Sequence, residues 1–397
     1  MTEQTLPPPS TAIGPRAWLQ KNLFSSLLNS AMTGLIAGLL LVLVITVGEW
    51  ALTEARWDVV TRNMRLFLVG QYPAQQAWRI WLALLLLSAL TGLSAGVFGR
   101  TTRALAIALS ALQAMLAALM LVSPVGPLVV IGFGLNAALV WIGLVVGLRM
   151  RVPRRPLVIA WIASIPMTFL LLNGIAGTPL PAVSSNLWGG LLLTVVLAAV
   201  GIVLSFPLGV LLALGRRSGL PAVRILSTAY IELIRGVPLV TILFMADTML
   251  PFFLPGEVRI DRVTRAMGGI TLFSAAYVAE NVRGGLQAIP TGQIEAAQAL
   301  GLSAARTTMD IVLPQALRSV IPANVGLFIS LLKDTTLVSI IGLAELLGIG
   351  RAILAQPQSL GAHLEVFAFT AAIFFALCYA MSQASYRLER ALGVGSR

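Results

Sequence analysis

The chain has 397 residues, of which 58% are hydrophobic and only 11% are charged, whereas soluble domains carry roughly 25% charged residues. With a mean hydropathy of +0.91, we predict an all-α polytopic membrane protein. One Cys, one His and two Lys are too few for a Cys/His metal site, a disulfide framework or a Cys–His nucleophile pair. Neither Lys21 nor Lys333 follows the glycine-rich turn of a P-loop, so ATP hydrolysis would need another chain.

Long charge-free runs predict about ten transmembrane helices, because a helix needs roughly 20 apolar residues to cross a bilayer. The runs are continuous rather than alternating, which favours helices over the strands of a barrel. In chain order, the predicted spans are 23–48, 80–99, 104–122, 128–148, 157–172, 187–214, 236–254, 266–285, 320–341 and 364–384. The turn 123–127 and the Pro- and Gly-rich segment 173–186 separate neighbouring spans.

The spans divide the chain into three parts. Residues 1–22 form a tail, residues 23–180 an N-terminal extension of about five spans, and residues 186–390 a core of about five more. If the N-terminus is inside and the spans alternate, most Lys and Arg residues fall on the inner side, so we predict that both termini are cytoplasmic. The net charge of +12 then reflects topology and does not require a nucleic-acid partner.

The extension is predicted to be a plain apolar bundle. Glycines spaced four residues apart recur in its spans and suit close helix packing in lipid. These pairs are Gly34 and Gly38, Gly92 and Gly96, and Gly143 and Gly147. Asn136 is the main polar exception, and we expect it to form a hydrogen bond with a neighbouring helix.

Ionisable residues that lie in or beside the spans are concentrated in the second half. Such groups are costly in a bilayer and usually face a partner, a cavity or a functional site. The substrate pathway or a gate is therefore expected in this half. The candidates are Glu232, Arg235, Asp247, Glu280, Arg283, Lys333 and Asp334.

Four of these candidates are spaced for ion pairing within a helix. Glu232 and Arg235 are three residues apart, and so are Glu280 and Arg283, so each pair can share one helix face. Both pairs are predicted near cytoplasmic helix ends. Salt bridges that stiffen a helix end are the more conservative interpretation, and a cytoplasmic gate is the functional one.

The other three candidates have no partner of this kind. Lys333 and Asp334 are neighbours and cannot share a helix face, so we expect them to reach other helices, in a gate or a subunit contact. Asp247 lies in an apolar run without a basic residue nearby. Two interpretations of Asp247 remain open: it lines the pathway and faces a substrate amino group, or it pairs with a distant basic residue.

The most informative local pattern lies in the predicted cytoplasmic loop 290–314, between the eighth and ninth spans. We predict an alanine-rich helix after Pro290 and Gly292, a left-handed stop at Gly301, and a second short helix that ends before Pro314. Glu295, near the start of the first helix, favours the positive end of the helix dipole and can pair with an Arg of a docking partner. An interfacial amphipathic helix is the alternative, but it would carry more Lys and Arg.

The spacing of Glu295-Ala296-Ala297, Gly301 and Leu313-Pro314 resembles the EAA signature of ABC importer permease subunits. Residues 186–390 as a whole resemble the polar amino-acid branch of that family, the histidine/glutamine-type permeases. The long N-terminal extension is similar to that of the M-type subunit of the general L-amino-acid transporter.

This resemblance implies a core of the type I importer, MetI-like kind, in a transport subunit that has no enzymatic activity of its own. In that family the loop docks on a separate ATPase. The residues expected to couple to the ATPase are therefore Glu295, Ala296, Ala297, Gly301, Leu313 and Pro314. No cofactor is expected on this chain, since ATP and Mg would bind the ATPase.

The resemblance also implies the assembly and its place in the cell. The expected partners are two ATPase copies, a second and related permease chain, an extracytoplasmic amino-acid-binding protein and membrane lipid. The expected location is the bacterial cytoplasmic (inner) membrane. The alternative function is an ion-coupled secondary transporter that acts alone, which would usually show internal repeats. An integral-membrane enzyme is disfavoured by the lack of a catalytic constellation.

Overall fold

The computed structural model describes residues 14–121, 127–150, 152–175, 177–256 and 258–393. Within these ranges the chain is helical, and β pairing is limited to two isolated bridges, Gly70 with Trp188 and Gly190 with Glu345. The predicted all-α fold is confirmed. Residues 1–13 of the predicted tail and most of the predicted turn 123–127 lie outside the described residues. The chain divides into two compact units, Met1–Arg56 and Trp57–Arg397.

The first unit contains one long apolar helix. Helix α1, Pro15–Asn22, lies in the predicted tail and precedes α2, Leu27–Glu49, which continues into a π-helical turn over Trp50–Glu54. The hydroxyl of Ser26 caps α2, because it accepts a hydrogen bond at 3.2 Å from the backbone N–H of Asn29. Helix α2 is apolar around its circumference, as expected of a helix in lipid, and it matches the predicted span 23–48.

The second unit begins with the rest of the extension. Two short helices that the sequence analysis did not predict come first, α3 (Trp57–Arg62) and α4 (Met64–Val69). A 3-10 turn over Ala74–Gln76 then leads to four long helices, α5 (Trp78–Val97), α6 (Arg100–Leu121), α7 (Pro127–Arg149) and α8 (Arg154–Asn173). These four helices correspond to the second to fifth predicted spans.

Helices α5 and α7 pack backbone to backbone through glycines, as predicted. A Cβ on Gly92 would lie 2.2 Å from a carbonyl oxygen of α7, and a Cβ on Gly96 would lie 2.5 Å from the carbonyl carbon of Gly147. Only residues without a side chain permit this approach. In the first unit the outcome differs, since a Cβ on Gly34 or Gly38 would meet no atom within 4 Å.

A polar network joins three helices of the extension. The Ser88 hydroxyl donates a hydrogen bond to Oδ1 of Asn136 at 3.2 Å, and Nε2 of Gln113 donates to the same hydroxyl at 2.9 Å. All three side chains are buried. The predicted interhelical hydrogen bond of Asn136 is therefore confirmed, and Gln113 of α6 completes the network.

The core contains eleven helical segments within the described residues. They are α9 (Gly190–Arg216), α10 (Pro221–Arg235), α11 (Leu239–Phe244), α12 (Leu250–Phe253), α13 (Arg262–Gln287), α14 (Thr291–Ala299), α15 (Ala304–Arg306), α16 (Leu313–Ser319), α17 (Ile321–Asp334), α18 (Leu346–Leu354) and α19 (His363–Leu392). Turns of π-helix, Met245–Met249 and Thr307–Val312, join α11 to α12 and α15 to α16. Turns of 3-10 helix cover Ser185–Leu187, Thr335–Ile341 and Pro357–Ser359.

The predicted span 236–254 corresponds to the helical segment Leu239–Phe253, which follows a sharp break after α10. Helix α10 and the segment Leu239–Phe253 meet at 105°. Pro238 lies at this break, where it lacks a backbone N–H and disfavours a helical conformation of Val237. Helices α10 to α12 therefore form a broken span or a re-entrant pair, of which the sequence predicted only the second part.

Eight helices among the described residues are long and apolar enough to cross a membrane, and the bent pair would be a ninth. The remaining predicted span, 266–285, corresponds to α13, which has 26 residues and is therefore about 39 Å long. Helix α13 is not among the eight apolar helices because its sequence is more polar than theirs. More than half of α13 is buried against other helices, so its environment is mostly protein.

The extension and the core share an apolar cluster. Val60 and Phe67 of the short helices α3 and α4 pack with Ile349 of α18 and Val366 of α19. The rings of Phe67 and Phe369 meet edge to face with centroids 4.9 Å apart. The extension thus covers an apolar side of the last two core helices.

A buried arginine joins α5 to the segment that follows α8. Arg79, in the first turn of α5, is fully buried, and its Nη1 donates to the carbonyl oxygen of Pro181 at 2.9 Å. A Cβ on Gly174, the residue that ends α8, would lie 2.8 Å from this nitrogen. The guanidinium therefore lies at the C-terminus of α8, where the helix dipole favours a cation.

Candidate functional site

The coupling segment, defined as residues 290–314, begins with α14 and a glycine-dependent helix cap. The backbone N–H of Leu302 bonds the carbonyl oxygen of Ala297 at 3.1 Å, and the N–H of Gly301 bonds that of Gln298 at 2.9 Å. This pair of hydrogen bonds is the Schellman motif, which needs a left-handed residue after the helix. Gly301 has a φ of 78°, so the expected left-handed stop is found at this residue.

The second helix of the coupling segment is longer than predicted. Ser303 caps α15, and the helix continues through the π-helical turn Thr307–Val312 into α16. The prediction that it ends before Pro314 is wrong. Pro314 lies in the first turn of α16, where a missing N–H is tolerated because the preceding π-helical turn has already shifted the hydrogen-bond register.

One side of α14 packs against the core and the other is exposed. Ala297 is 2% exposed, and Ile294 and Leu313 pack on a buried apolar cluster that contains residues of α9, α10 and α13. Glu295 and Ala296 are exposed, as are Gly301 and Pro314. Of the six predicted coupling residues, Ala297 and Leu313 therefore hold the segment in place, and the other four are accessible.

Five charged residues come together where α9, α10 and α13 meet, and we call them the ionic cluster: Arg216, Glu232, Arg235, Glu280 and Arg283. Glu280 is at its centre. Its Oε2 accepts a hydrogen bond from Nε of Arg283 at 2.9 Å and lies 3.5 Å from Nη1 of Arg235 and 3.6 Å from Nη1 of Arg216. One carboxylate thus links three helices.

The predicted ion pair between Glu280 and Arg283 is present, whereas the predicted pair between Glu232 and Arg235 is not. Glu232 pairs instead with Arg216 of α9 at 2.9 Å, and Arg235 pairs with Glu280. The guanidinium of Arg235 also lies 5.7 Å from the ring centroid of Tyr277, within the range of a cation–π contact. Tertiary contacts therefore replace the pair that spacing alone had predicted. Arg216, which the sequence analysis did not select, holds the cluster together.

The ionic cluster lies close to the coupling segment along the chain. Glu280 and Arg283 lie in the last turns of α13, which ends at Gln287, and α14 begins at Thr291. The apolar cluster beneath α14 contains Val282 and Leu286 of these same turns. The end of α13 therefore contacts the ionic cluster and the coupling segment.

Asp247 pairs with two arginines at the other end of α13. Its Oδ1 lies 3.1 Å from Nε of Arg262 and 3.2 Å from Nη2 of Arg265, and Arg265 also hydrogen-bonds its backbone carbonyl. The Asp247 side chain is only 10% exposed. The sequence left two interpretations of Asp247 open, a contact with substrate and a pairing with a distant basic residue, and this geometry matches the pairing. The clue in the sequence was the spacing of Arg262 and Arg265, three residues apart at a helix start.

The hydroxyl and amide groups around Asp261 fix the start of α13. Asp261 caps the helix, and its Oδ1 accepts from the Ser185 hydroxyl at 2.5 Å and from the Thr264 N–H at 3.0 Å. Burial alone would raise the pKa of the Asp261 carboxyl, but these hydrogen bonds outweigh it and lower the pKa below its ordinary value.

Lys333 and Asp334 stand apart from both groups of charges. Lys333 is exposed and Asp334 is half-buried, at the end of α17. Neither residue forms an ion pair in the part of the chain that the structure describes. The structure therefore does not bring these two candidates together with the ionic cluster or with Asp247.

Comparison with known proteins identifies the family. Residues 205–393 match the family described as "Binding-protein-dependent transport system inner membrane component". The inner membrane amino-acid ABC transporter permease protein YhdY of Escherichia coli (strain K12) is 37% identical over 395 residues, which cover 95% of this chain and 93% of that protein. This chain belongs to the amino-acid ABC transporter permeases.

A second permease of this family is similar over almost the same length. The glutamate/glutamine/aspartate/asparagine transport system permease protein BztC of Rhodobacter capsulatus is 38% identical over 424 residues, covering 97% of this chain and 95% of that protein. A chain in a crystal structure of an amino acid ABC transporter with histidines is 31% identical over 51% of this chain and 92% of its own length, with a TM-score of 0.46. The predicted resemblance to polar amino-acid permeases is confirmed.

Membership in the amino-acid ABC transporter permeases makes this chain a multi-pass inner-membrane transport subunit, not an enzyme. The similarity to both full-length relatives extends through the N-terminal extension. Extension and core are therefore parts of one permease architecture.

Proposed function

We propose that this chain is the permease subunit of an ATP-driven importer that moves amino acids into the cytoplasm. We further propose that it couples to a separate ATPase through the coupling segment and receives its substrate from an extracytoplasmic binding protein. ATP and Mg would bind the ATPase. The similarity to two amino-acid permeases over almost their full length, and to the family of binding-protein-dependent transport components, supports this assignment.

The observation that carries the coupling proposal is the exposed side of α14. Leu300, at the end of this helix, is 82% exposed, and Glu295 and Ala296 are exposed beside it. Glu295 forms no ion pair within the described ranges. A charged group next to an exposed leucine and small alanines is suited to a partner groove with an apolar centre and a basic residue at its edge.

For the assembly, we propose two ATPase copies and a second, related permease chain, with both termini of this chain in the cytoplasm. The distribution of Lys and Arg supports the orientation. For the substrate, we propose amino acids in general, and the similarity to BztC, a glutamate/glutamine/aspartate/asparagine permease, supports polar ones. Lys333, exposed and without an ion-pair partner within the described residues, is suited to contact a substrate carboxylate, and we keep it with Asp334 as a pathway candidate.

The two ion-paired groups are proposed as gates and not as substrate ligands. The ionic cluster would close the cytoplasmic end of the pathway by holding α9, α10 and α13 together. Asp247, with Arg262 and Arg265, would do the same for α11 and α13 at the external end. Ion pairs that are shared between helices can exchange partners when the helices move, which suits alternating access.

Co-purification and uptake test the proposed function. The chain would be produced with its candidate ATPase, second permease and binding protein, and reconstituted in liposomes. We expect Glu295→Ala to reduce ATPase recovery and ATP-dependent uptake, whereas Glu54→Ala, which changes an exposed carboxylate in the first unit, should preserve both. Uptake driven by an ion gradient in liposomes that contain this chain alone would contradict the proposal and support the secondary-transporter alternative.

A further inference from the structure

A strongly basic cavity of about 280 Å³ lies between the ends of α9 and α13. Its lining residues are Arg216, Arg217, Arg283 and Gln287. Arg216 and Arg283 share the carboxylates of the ionic cluster, while Arg217 forms no ion pair within the described residues and donates only to the carbonyl oxygen of Leu286, at 3.3 Å. The cavity therefore presents cationic groups without enough carboxylates to neutralise them.

The charge balance around the cavity can be counted. Four arginines, the three of the lining plus Arg235, face two carboxylates, Glu232 and Glu280, which leaves two positive charges. Nη1 of Arg216 is buried and has no hydrogen-bond partner, since Glu280 is 3.6 Å away. A buried donor without an acceptor is costly, and it adds to the unbalanced positive charge beside the cavity.

The position of the cavity relative to the bilayer points to the source of that anion. Helix α9 has 27 residues and is about 40 Å long, close to the thickness of a bilayer with its headgroup regions. Arg216 and Arg217 at its end therefore lie at headgroup depth. The exposed side of α14 is a different surface, because α14 belongs to the coupling segment that follows α13 in the chain.

We propose that this cavity binds the phosphate group of an anionic phospholipid in the cytoplasmic leaflet. Guanidinium groups bind phosphate oxygens in bidentate fashion, and basic pockets between transmembrane helices on the cytoplasmic side hold anionic headgroups. The proposal rests on the orientation given under the proposed function. The bound phosphate links α9 to α13 at the residues that also form the ionic cluster, so the lipid adds to the contacts that hold these two helices together.

Native mass spectrometry of the purified complex, full chain with its partner subunits, tests the proposal. The delipidated complex would be titrated with phosphatidylglycerol and, separately, with phosphatidylcholine. We expect preferential retention of phosphatidylglycerol, a loss of about fivefold in its apparent affinity for Arg217→Gln, and near-normal retention for Arg217→Lys. Arg224→Gln is the matched control, because Arg224 is an exposed arginine of α10 that does not line the cavity.

Four results would overturn the proposal. Equal retention of the two lipids would contradict it. Unchanged phosphatidylglycerol retention by Arg217→Gln, in a complex that elutes and melts like the unmodified one, would also contradict it. Displacement of the lipid preference by millimolar inorganic phosphate would assign the cavity to free phosphate. Lower ATPase recovery with unchanged lipid retention would assign it to a carboxylate of the ATPase. Lipid retention is read without ATP or transport, so its failure is distinct from failure of the proposed function.

Discussion

Gly70 and Gly189 cross backbone to backbone, so closely that a Cβ on Gly70 would lie 2.5 Å from the Cα of Gly189. Gly70 ends α4 with a φ of 63°, and Gly189 directly precedes α9. On its other side Gly189 approaches the carbonyl oxygen of Ala344, 2.9 Å from an added Cβ. Extension and core therefore meet at a point where neither backbone leaves room for a side chain.

Gly70→Ala is expected to destabilise the protein more than Gly99→Ala does. Gly99 also has a positive φ, 86°, but an added Cβ there would meet nothing within 4 Å. The control Gly99→Ala therefore loses only the free energy needed to hold an alanine in the left-handed conformation, about 1–2 kcal/mol. Gly70→Ala adds a backbone clash to this loss. Thermal unfolding of both variants in detergent measures the difference. Equal melting temperatures would show that the two backbones can move apart at Gly70 without a further loss of stability.

Gly301→Val is expected to abolish ATPase stimulation by loaded binding protein while the protein still inserts and folds. Space is not the reason, because a Cβ at Gly301 would meet nothing within 4 Å. The reason is the φ of 78°, which a β-branched residue cannot adopt without strain. Gly292→Ala, in the first turn of α14, is the control and should leave coupling intact, since Ala favours the helix. Normal ATPase stimulation in Gly301→Val would show that coupling does not need the left-handed helix cap at residue 301.

Glu280→Gln is expected to lower the free energy of unfolding by about 1–3 kcal/mol, because it removes a charged acceptor that is shared by three arginines. Glu232→Gln should cost less than about 1 kcal/mol, because this side chain is 56% exposed and its one ion pair among the described residues is with Arg216. Thermal or denaturant unfolding of the two variants gives the comparison. If Glu232→Gln is the more damaging change, the cluster is not centred on Glu280.

Asp247→Asn is expected to lower stability and leave the substrate profile unchanged. The change deprives Arg262 and Arg265 of their carboxylate, and Arg265 is mostly buried, so two cations face each other without a counter-ion. Uptake of basic, neutral and acidic amino acids would be measured beside the melting temperature. A selective change in the uptake of one charge class would instead place Asp247 in the substrate pathway.

The cap of α13 is expected to make stability fall in acid. Since the pKa of Asp261 is lower in the folded protein than its ordinary value of 3.8, its stabilising effect is present above that value and is lost as the pH falls through the folded pKa. Asp261→Asn should therefore flatten the dependence of the melting temperature on pH below about pH 4. An identical acid profile in the variant would show that other carboxylates are responsible.

The sequence predicted the apolar helices well because their signal is local. A run of apolar residues without charge is visible without knowledge of its neighbours, and the structure places helices at the predicted spans within a few residues. The break at Pro238 was also visible in principle, but the apolar run after it concealed the 105° turn. Helices α3 and α4 were missed because each is only 6 residues long, below the length of any span.

Pairings between distant residues could not be predicted in the same way. The partner of Asp247 depends on a turn that returns α13 beside α11, and Arg216 meets Glu232 only because α9 and α10 fold against each other. Spacing along one helix suggested Glu232 with Arg235, yet the partners on neighbouring helices prevailed. The left-handed stop at Gly301 was predicted because a helix cap is local.

Only three residues, 288–290, separate the end of α13 from the start of α14. The four steps from Gln287 to Thr291 reach about 14 Å when fully extended, and Pro290 has a fixed φ. Such a connection is short, so under the proposed coupling a displacement of α14 would tilt α13. Helix α13 is about 39 Å long and holds Asp247 through its first turn, so under the proposed coupling it would act as a lever arm that reaches the opposite side of the permease.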